Sequence, residues 1–146
     1  MSERTVFQSM SHKHVVRVGP DASVYEAACM MTRASCGSVL VMEPPDKLLG
    51  ILTERDLMTR VLARALDPAH TPVREVMTPQ PICVRPELPV SEAVLIMLER
   101  GFRHLPVVGG GRILGVFSAR DALPREVGAA MGLAEFNEQV NDVGGG

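Results

Sequence analysis

Gly50-Ile51-Leu52-Thr53-Glu54-Arg55-Asp56 recurs 65 residues further on as Gly115-Val116-Phe117-Ser118-Ala119-Arg120-Asp121. In both stretches a hydroxyl residue stands three positions before an aspartate, directly after an apolar run. That spacing is a helix start in which Thr or Ser caps the backbone and the acid bonds back. Outward from these stretches the similarity continues. At an offset of 66, Val18-x-Pro20 falls on Val84-x-Pro86, and Val24, Glu26, Ala27 and Met31 fall on Val90, Glu92, Ala93 and Met97. Val41 meets Val107, and the lead-ins Met10-Ser11 and Met77-Thr78 echo one another. Self-similarity at a fixed period marks a duplicated supersecondary unit.

Each unit reads as strand, helix, strand, strand, helix. A short apolar strand (Val15–Val18; Ile82–Val84) ends at a Pro turn, and a helix with apolar positions at i, i+3, i+4 and i+7 follows. In the first unit these are Val24, Ala27, Ala28 and Met31; in the second they are Val90, Ala93, Val94 and Met97. Ser23 with Glu26 has the spacing of a capping box, while Pro89 suits a helix start. Two strands come next, Ser38–Met42 with Leu48–Leu52 and His104–Val108 with Ile113–Phe117, turning at Pro44-Pro45-Asp46 and Gly109-Gly110-Gly111. Leu57, Met58, Val61, Leu62 and Ala65 give the next helix its expected apolar face. The fold class is α+β, two β-α-β-β-α repeats. Residues 5–66 form the first with its lead-in, 67–124 the linker and second, and 125–146 a C-terminal helix and tail. A unit of about 60 residues buries too little surface alone, so the two sheets are expected to pack together with pseudo-two-fold symmetry.

Composition narrows the function. The 146 residues are 46% hydrophobic but 3% aromatic, with a formal net charge of −2. Such a chain lacks the basic footprint of a phosphate-backbone binder and the rings on which single strands stack. Apolar runs such as Ala34–Met42 fall short of the ~18–20 residues of a membrane span. No apolar run follows Met1-Ser2-Glu3-Arg4, and Cys29, Cys36 and Cys83 form no CxxC pair. Buried, reduced thiols and a cytoplasmic setting are expected. The four histidines are scattered, so no metal site is expected. Gly-x-Ser-x-Gly, HExxH and Walker A sequences are absent, and Gly109-Gly110-Gly111 misses the dinucleotide fingerprint because Leu114 stands at its last glycine.

The two Gly-apolar-apolar-Thr/Ser-x-x-Asp stretches resemble the CBS motif, the repeat named after cystathionine β-synthase. Val76-Met77-Thr78-Pro79, Gly37-Ser38-Val39-Leu40-Val41 and Arg103-His104-Leu105-Pro106-Val107-Val108 support the likeness, which spans roughly residues 5–124. The resemblance implies a tandem CBS pair, a Bateman module, which takes adenosyl ligands (AMP, ADP, ATP, NAD(H) or S-adenosylmethionine) in clefts between repeats. It also implies a homodimer built as a four-motif disc, and a separate effector protein that reads the conformational change. Membrane and nucleic-acid partners are not expected, and no cofactor is required.

By the same resemblance Asp56 and Asp121 hold ribose hydroxyls, with Thr53 and Ser118 near ribose or phosphate. Arg55 and Arg120 stand beside them for charge-assisted contacts. The lead-in backbone of Val15, Val16, Ile82 and Cys83 is expected to touch the base, held in an aliphatic slot. Arg103 and His104 occupy the second unit where the first has Gly37 and Ser38, so the clefts are not equivalent, and a guanidinium there favours a phosphorylated ligand. Pro106, where the first unit has Leu40, adds to the asymmetry, as does the lead-in through His12-Lys13-His14, which is one residue longer from Ser11 to Val18 than the one through Pro79-Gln80-Pro81 from Thr78 to Val84. Read from the residues alone, the Thr/Ser-x-x-Asp pairs also fit plain helix caps. A dimeric protein-interaction module with vestigial clefts, joined through Met30, Met31, Met58 and Met97, is the alternative. Core filling is the simpler use of those methionines.

Overall fold

Proline and glycine punctuate the chain where the repeats predict. A computed structural model describes residues 3–11 and 14–123. The residues His12 and Lys13, Pro124 and the C-terminal segment lie outside them. The first element, α1 (Val6–Ser9), is one turn closed by a Thr5–Gln8 capping box. β1 (Arg17–Val18) leads through Pro20 into α2 (Val24–Ala34), where Ser23 Oγ accepts from the Glu26 N–H at 3.1 Å. β2 (Ser38–Glu43) and β3 (Lys47–Thr53) form a hairpin, and α3 (Glu54–Asp56) runs directly into a π-helical turn, Leu57–Leu62. A 3-10 turn at Val73–Glu75 and β4 (Thr78–Pro79) open the second repeat. It continues as α4 (Val90–Arg100), β5 (His104–Gly109), β6 (Arg112–Ser118) and a 3-10 turn at Ala119–Ala122.

The first sheet has the order β1-β2-β3-β4, with β1 parallel to β2 and the rest antiparallel. The second pairs β5 with β6, and Val84 alone bridges to Val107 in parallel. A longer lead-in strand, Ile82–Val84, was the expectation here, and a proline explains the difference. In the first repeat the Leu40 N–H donates to the Val16 carbonyl at 2.9 Å. Its counterpart, Pro106, has no N–H to offer, so pairing begins only at Val84, whose N–H donates to the Pro106 carbonyl at 2.9 Å.

The helix after Asp56 also differs. Its bonds run i to i+5, from Ala63 N–H to Met58 O and from Leu66 N–H to Val61 O. This widened turn rotates the stripe away from the core: Val61 stays buried, whereas Met58 and Leu62 are 58% and 78% exposed.

Packing follows a crossed pattern. The first core gathers Val24, Ala27, Met31, Val39, Val41 and Leu52 of the first repeat with Val73 and Val76 from the lead-in of the second. The second core gathers Val90, Ala93, Met97, Leu105, Val107 and Phe117 with Val6 and Met10 from the lead-in of the first. Backbone bonds repeat the exchange symmetrically. Val73 N–H donates to Ala22 O as Val6 N–H does to Leu88 O, both at 2.8 Å; Val24 N–H donates to Thr71 O as Val90 N–H does to Arg4 O. Each half therefore borrows fully buried valines from the other, each contributing about 1.5–3 kcal/mol by burial. Between the sheets Leu40, Met42 and Ile51 are buried, with Val15, Leu48, Ile113 and Val116 packed against them.

Glycine opens the first signature stretch for a steric reason. A Cβ on Gly50 would stand 2.5 Å from Met77 Sδ and 2.8 Å from the Thr78 carbonyl oxygen. Only a residue without one lets β4 cross so close to β3, and that crossing carries the second lead-in to the end of the first repeat's hairpin.

Candidate functional site

Where β3 gives way to α3, Thr53 and Asp56 form the reciprocal cap that their spacing predicts. Asp56 Oδ2 accepts from Thr53 N–H at 2.9 Å and from Thr53 Oγ1 at 3.1 Å. The cap uses one carboxylate oxygen. The other, Oδ1, accepts no hydrogen bond among the described residues and faces Arg60 Nε at 3.7 Å. Asp56 is 7% exposed and lines a cleft of about 230 Å³. Capping and ligand binding are thus compatible roles for one side chain.

The crossed lead-ins decide what meets Asp56. The first repeat contributes Ile51, Thr53, Glu54, Arg55, Asp56 and Arg60; the second contributes Thr78, Pro81, Ile82, Gly101, Phe102, Arg103 and His104. Of the residues expected to bind, Thr53, Arg55, Asp56, Ile82, Arg103 and His104 come together here. Three arginines face two carboxylates. Arg55 reaches the Gly101 carbonyl at 3.3 Å. Arg60 donates to the Val76 and Met77 carbonyls, both at 3.1 Å, tying Asp56 to the incoming lead-in. The apolar wall is Ile51, Pro81 and Ile82 with one ring, Phe102, which the aliphatic slot did not include. Because Pro106 lacks an N–H, the Ile82 carbonyl, counterpart of the bonded Val16 carbonyl, receives no strand bond from it.

Burial pushes the His104 imidazole below its usual pKa. Arg103 adds to the lowering, while Glu54, Asp121 and Asp56 oppose it. His104 sits at the seam between repeats. Its Nε2 lies 3.2 Å from where a Cβ on Gly37 would stand, and Glu54 Oε1 lies 3.1 Å from the same point. Gly37 makes room for both.

The second signature folds alike but is engaged differently. Asp121 Oδ2 accepts from Ser118 N–H at 2.9 Å and Ser118 Oγ at 3.2 Å. Its Oδ1 accepts from Ser11 N–H at 3.1 Å and Ser11 Oγ at 2.5 Å. Arg120 lies exposed beside it. The remaining expected residues stand away from the Asp56 cleft. Val15 packs against the layer between the sheets, and Val16 gives its carbonyl to Leu40. Ser38 is buried opposite Thr53, and Pro106 pairs with Val116. Cys83 is exposed and Cys29 and Cys36 are half-buried, which corrects the expectation of buried thiols. Partial burial raises the Cys83 thiol pKa all the same. Met31 and Met97 belong to the first and second cores, Met30 packs against the first, and Met58 faces outward. Sequence reasoning missed Arg60 and Phe102. The i, i+4 spacing from Asp56 to Arg60 was the available signal.

Comparison with known proteins meets this geometry directly. The CBS domain family model matches residues 7–63 and again 73–127. The chain belongs to the CBS-domain family. An uncharacterised protein of Methanopyrus kandleri is 31% identical over 118 residues, covering 80% of this chain, which spans 60% of that relative's length. The CBS-domain crystal structure NE2398 superposes with a TM-score of 0.75 at 33% identity, covering 82% of this chain and 94% of its own. The CBS-domain protein PAE2072 of Pyrobaculum aerophilum, solved in complex with AMP, gives 0.73 at 25% identity, covering 90% and 98%. The chain is therefore a CBS pair, and its tandem α+β architecture is that of its structural neighbours. Among the described residues no group of three or more His, Cys, Asp or Glu could hold a metal, and no helix is long and apolar enough to cross a membrane.

Proposed function

We propose that this CBS pair is a non-catalytic regulatory module that holds a phosphorylated adenosyl ligand in the Asp56 cleft. The carrying observation is the divided labour of the Asp56 carboxylate: Oδ2 caps α3, and Oδ1 remains for donors from the cleft. A carboxylate oxygen accepts from the vicinal hydroxyls of a ribose. Arg55 and Arg103 supply charge-assisted donors for phosphate, and with His104 held neutral the lining has one positive charge in excess. Ile51, Pro81, Ile82 and Phe102 enclose an adenine, whose edge finds the backbone of Ile82. Each wall comes from a different repeat, so a bound ligand bridges them. It shifts their arrangement by as much as it prefers one arrangement over another, and a second copy or an effector protein reads the shift. The AMP complex of the Pyrobaculum relative supports the ligand class.

Isothermal calorimetry on the full chain with AMP, ADP, ATP, NADH and S-adenosylmethionine tests this reading. Saturable binding is expected, weakened about 10- to 100-fold in Asp56→Asn, since a hydrogen bond to a charged group contributes roughly 1.5–3 kcal/mol. No heat with any of the five overturns it. The exposed Leu62 and Leu98 favour a second reading, a dimeric interaction module with vestigial clefts. A dimer that ignores all five ligands is its signature.

A further inference from the structure

We infer that the second cleft is closed by the chain itself: Ser11 occupies the Asp121 carboxylate in place of a ligand, so the unmodified protein takes one adenosyl ligand per chain. The inference rests on the reading of the Asp56 cleft as the ligand site. It starts from a comparison of two carboxylates in corresponding positions. Both spend Oδ2 on the cap. At Asp56 the remaining oxygen meets, among the described residues, only the Arg60 guanidinium, at 3.7 Å. At Asp121 it accepts two donors, the amide and the hydroxyl of Ser11. Two donors on one carboxylate oxygen are what a ribose diol would offer there. A ligand entering this cleft must break both bonds before it can form its own.

Ser11 is brought there by construction. Val6 is fully buried and Met10 is 5% exposed in the second core. Backbone bonds from Val6 to Leu88 and from Phe7 to Pro86 fix the preceding turn. Glu3 accepts from Ser91 N–H at 2.7 Å, and Arg4 donates to the Leu123 carbonyl at 3.2 Å. A donor anchored this way acts as a tethered competitor at high effective concentration. Thr78, the repeat counterpart of Ser11, is held otherwise: β4 pairs it with Ile51, and it makes no hydrogen bond to Asp56. The lead-ins also differ in length: six residues separate Ser11 from Val18, but five separate Thr78 from Val84. Ser11 is solvent-exposed, so it can be displaced without unfolding the core.

The test counts AMP molecules bound per full-length chain, by calorimetry and by amide NMR, in the wild type and in Ser11→Ala. Ser11→Ala removes the hydroxyl and leaves the buried anchors alone; its melting temperature serves as the folding control. One AMP in the wild type, lost in Asp56→Asn, and one additional AMP in Ser11→Ala, lost in Ser11→Ala/Asp121→Asn, is the expected pattern. Independently of any ligand, the Ser11 amide of the wild type is expected to exchange slowly with solvent and to lose that protection in Asp121→Ala. Equal AMP counts in wild type and Ser11→Ala, or a freely exchanging Ser11 amide, overturn the self-closure. The wild-type AMP and its loss in Asp56→Asn judge the Asp56 reading, whereas the gain in Ser11→Ala judges the self-closure, so the two ideas fail separately.

Discussion

His104 illustrates how one residue links both halves. Its position was legible as the second-repeat counterpart of Ser38, but its surroundings were not, because Glu54, Asp56 and Asp121 approach it from segments distant in sequence. Burial, reinforced by Arg103, lowers its folded pKa below the usual imidazole value of 6.5. The unfolded chain therefore takes up this proton before the folded one does. This contribution to stability is complete above about pH 6.5 and declines as pH falls toward the lowered folded value. His104→Gln is expected to flatten that decline. The measurement is the difference in urea midpoint between wild type and variant from pH 7.5 to 5.5. A difference that stays constant across this range refutes the assignment. The variant difference isolates His104 from the remaining histidines, which titrate in both chains.

At the scale of elements, the repeats were legible because periodicity and turn residues are local. Val24 to Met31 reads as a helix whatever it packs against. What remained hidden was partnership. Two identical units give the same pattern whether each lead-in packs on its own repeat or on the other, and only the tertiary bonds from Val6 and Val73 decide it. The same blindness concealed the π-helical turn, since its i, i+5 bonds come from segment packing rather than from any residue that α-helix propensity penalises. That turn places Arg60 between Asp56 and the carbonyls of Val76 and Met77. Arg60→Met keeps the apolar stem and removes these bonds. It is expected to destabilise the fold by about 1–3 kcal/mol and to speed amide exchange at Gln80, whose N–H donates to Leu49 O beside β4. Ligand affinity should fall with it, because Thr78, Pro81 and Ile82 line the cleft. Unchanged Gln80 protection would show that β4 is held without the guanidinium.

For the whole molecule, two small aliphatic cores exchange their lead-ins and share a layer between the sheets, so neither half is expected to fold independently. Several large apolar side chains are left exposed after that account. Met58 and Leu62 on the π-helical turn and Leu95 and Leu98 on α4 are between 54% and 78% exposed. An isolated exposed leucine is ordinary, but four large apolar side chains on the helices flanking one cleft are what an interaction surface presents. The helices also border the cleft. Arg55, one turn before Met58, binds the Gly101 carbonyl at the end of α4, so a ligand on Arg55 and Arg103 acts at the base of both. A homodimer through this face would couple ligand occupancy to assembly without any further domain. Sedimentation velocity on the full chain is expected to report a dimer at micromolar concentration. Leu62→Asp/Leu98→Asp should be a monomer with unchanged far-ultraviolet circular dichroism, because neither side chain belongs to a core. AMP should shift the wild-type dimer's dissociation constant and leave the double variant's sedimentation unaltered. A wild type that sediments as a monomer with and without AMP would exclude the dimer and leave the apolar face to a different protein.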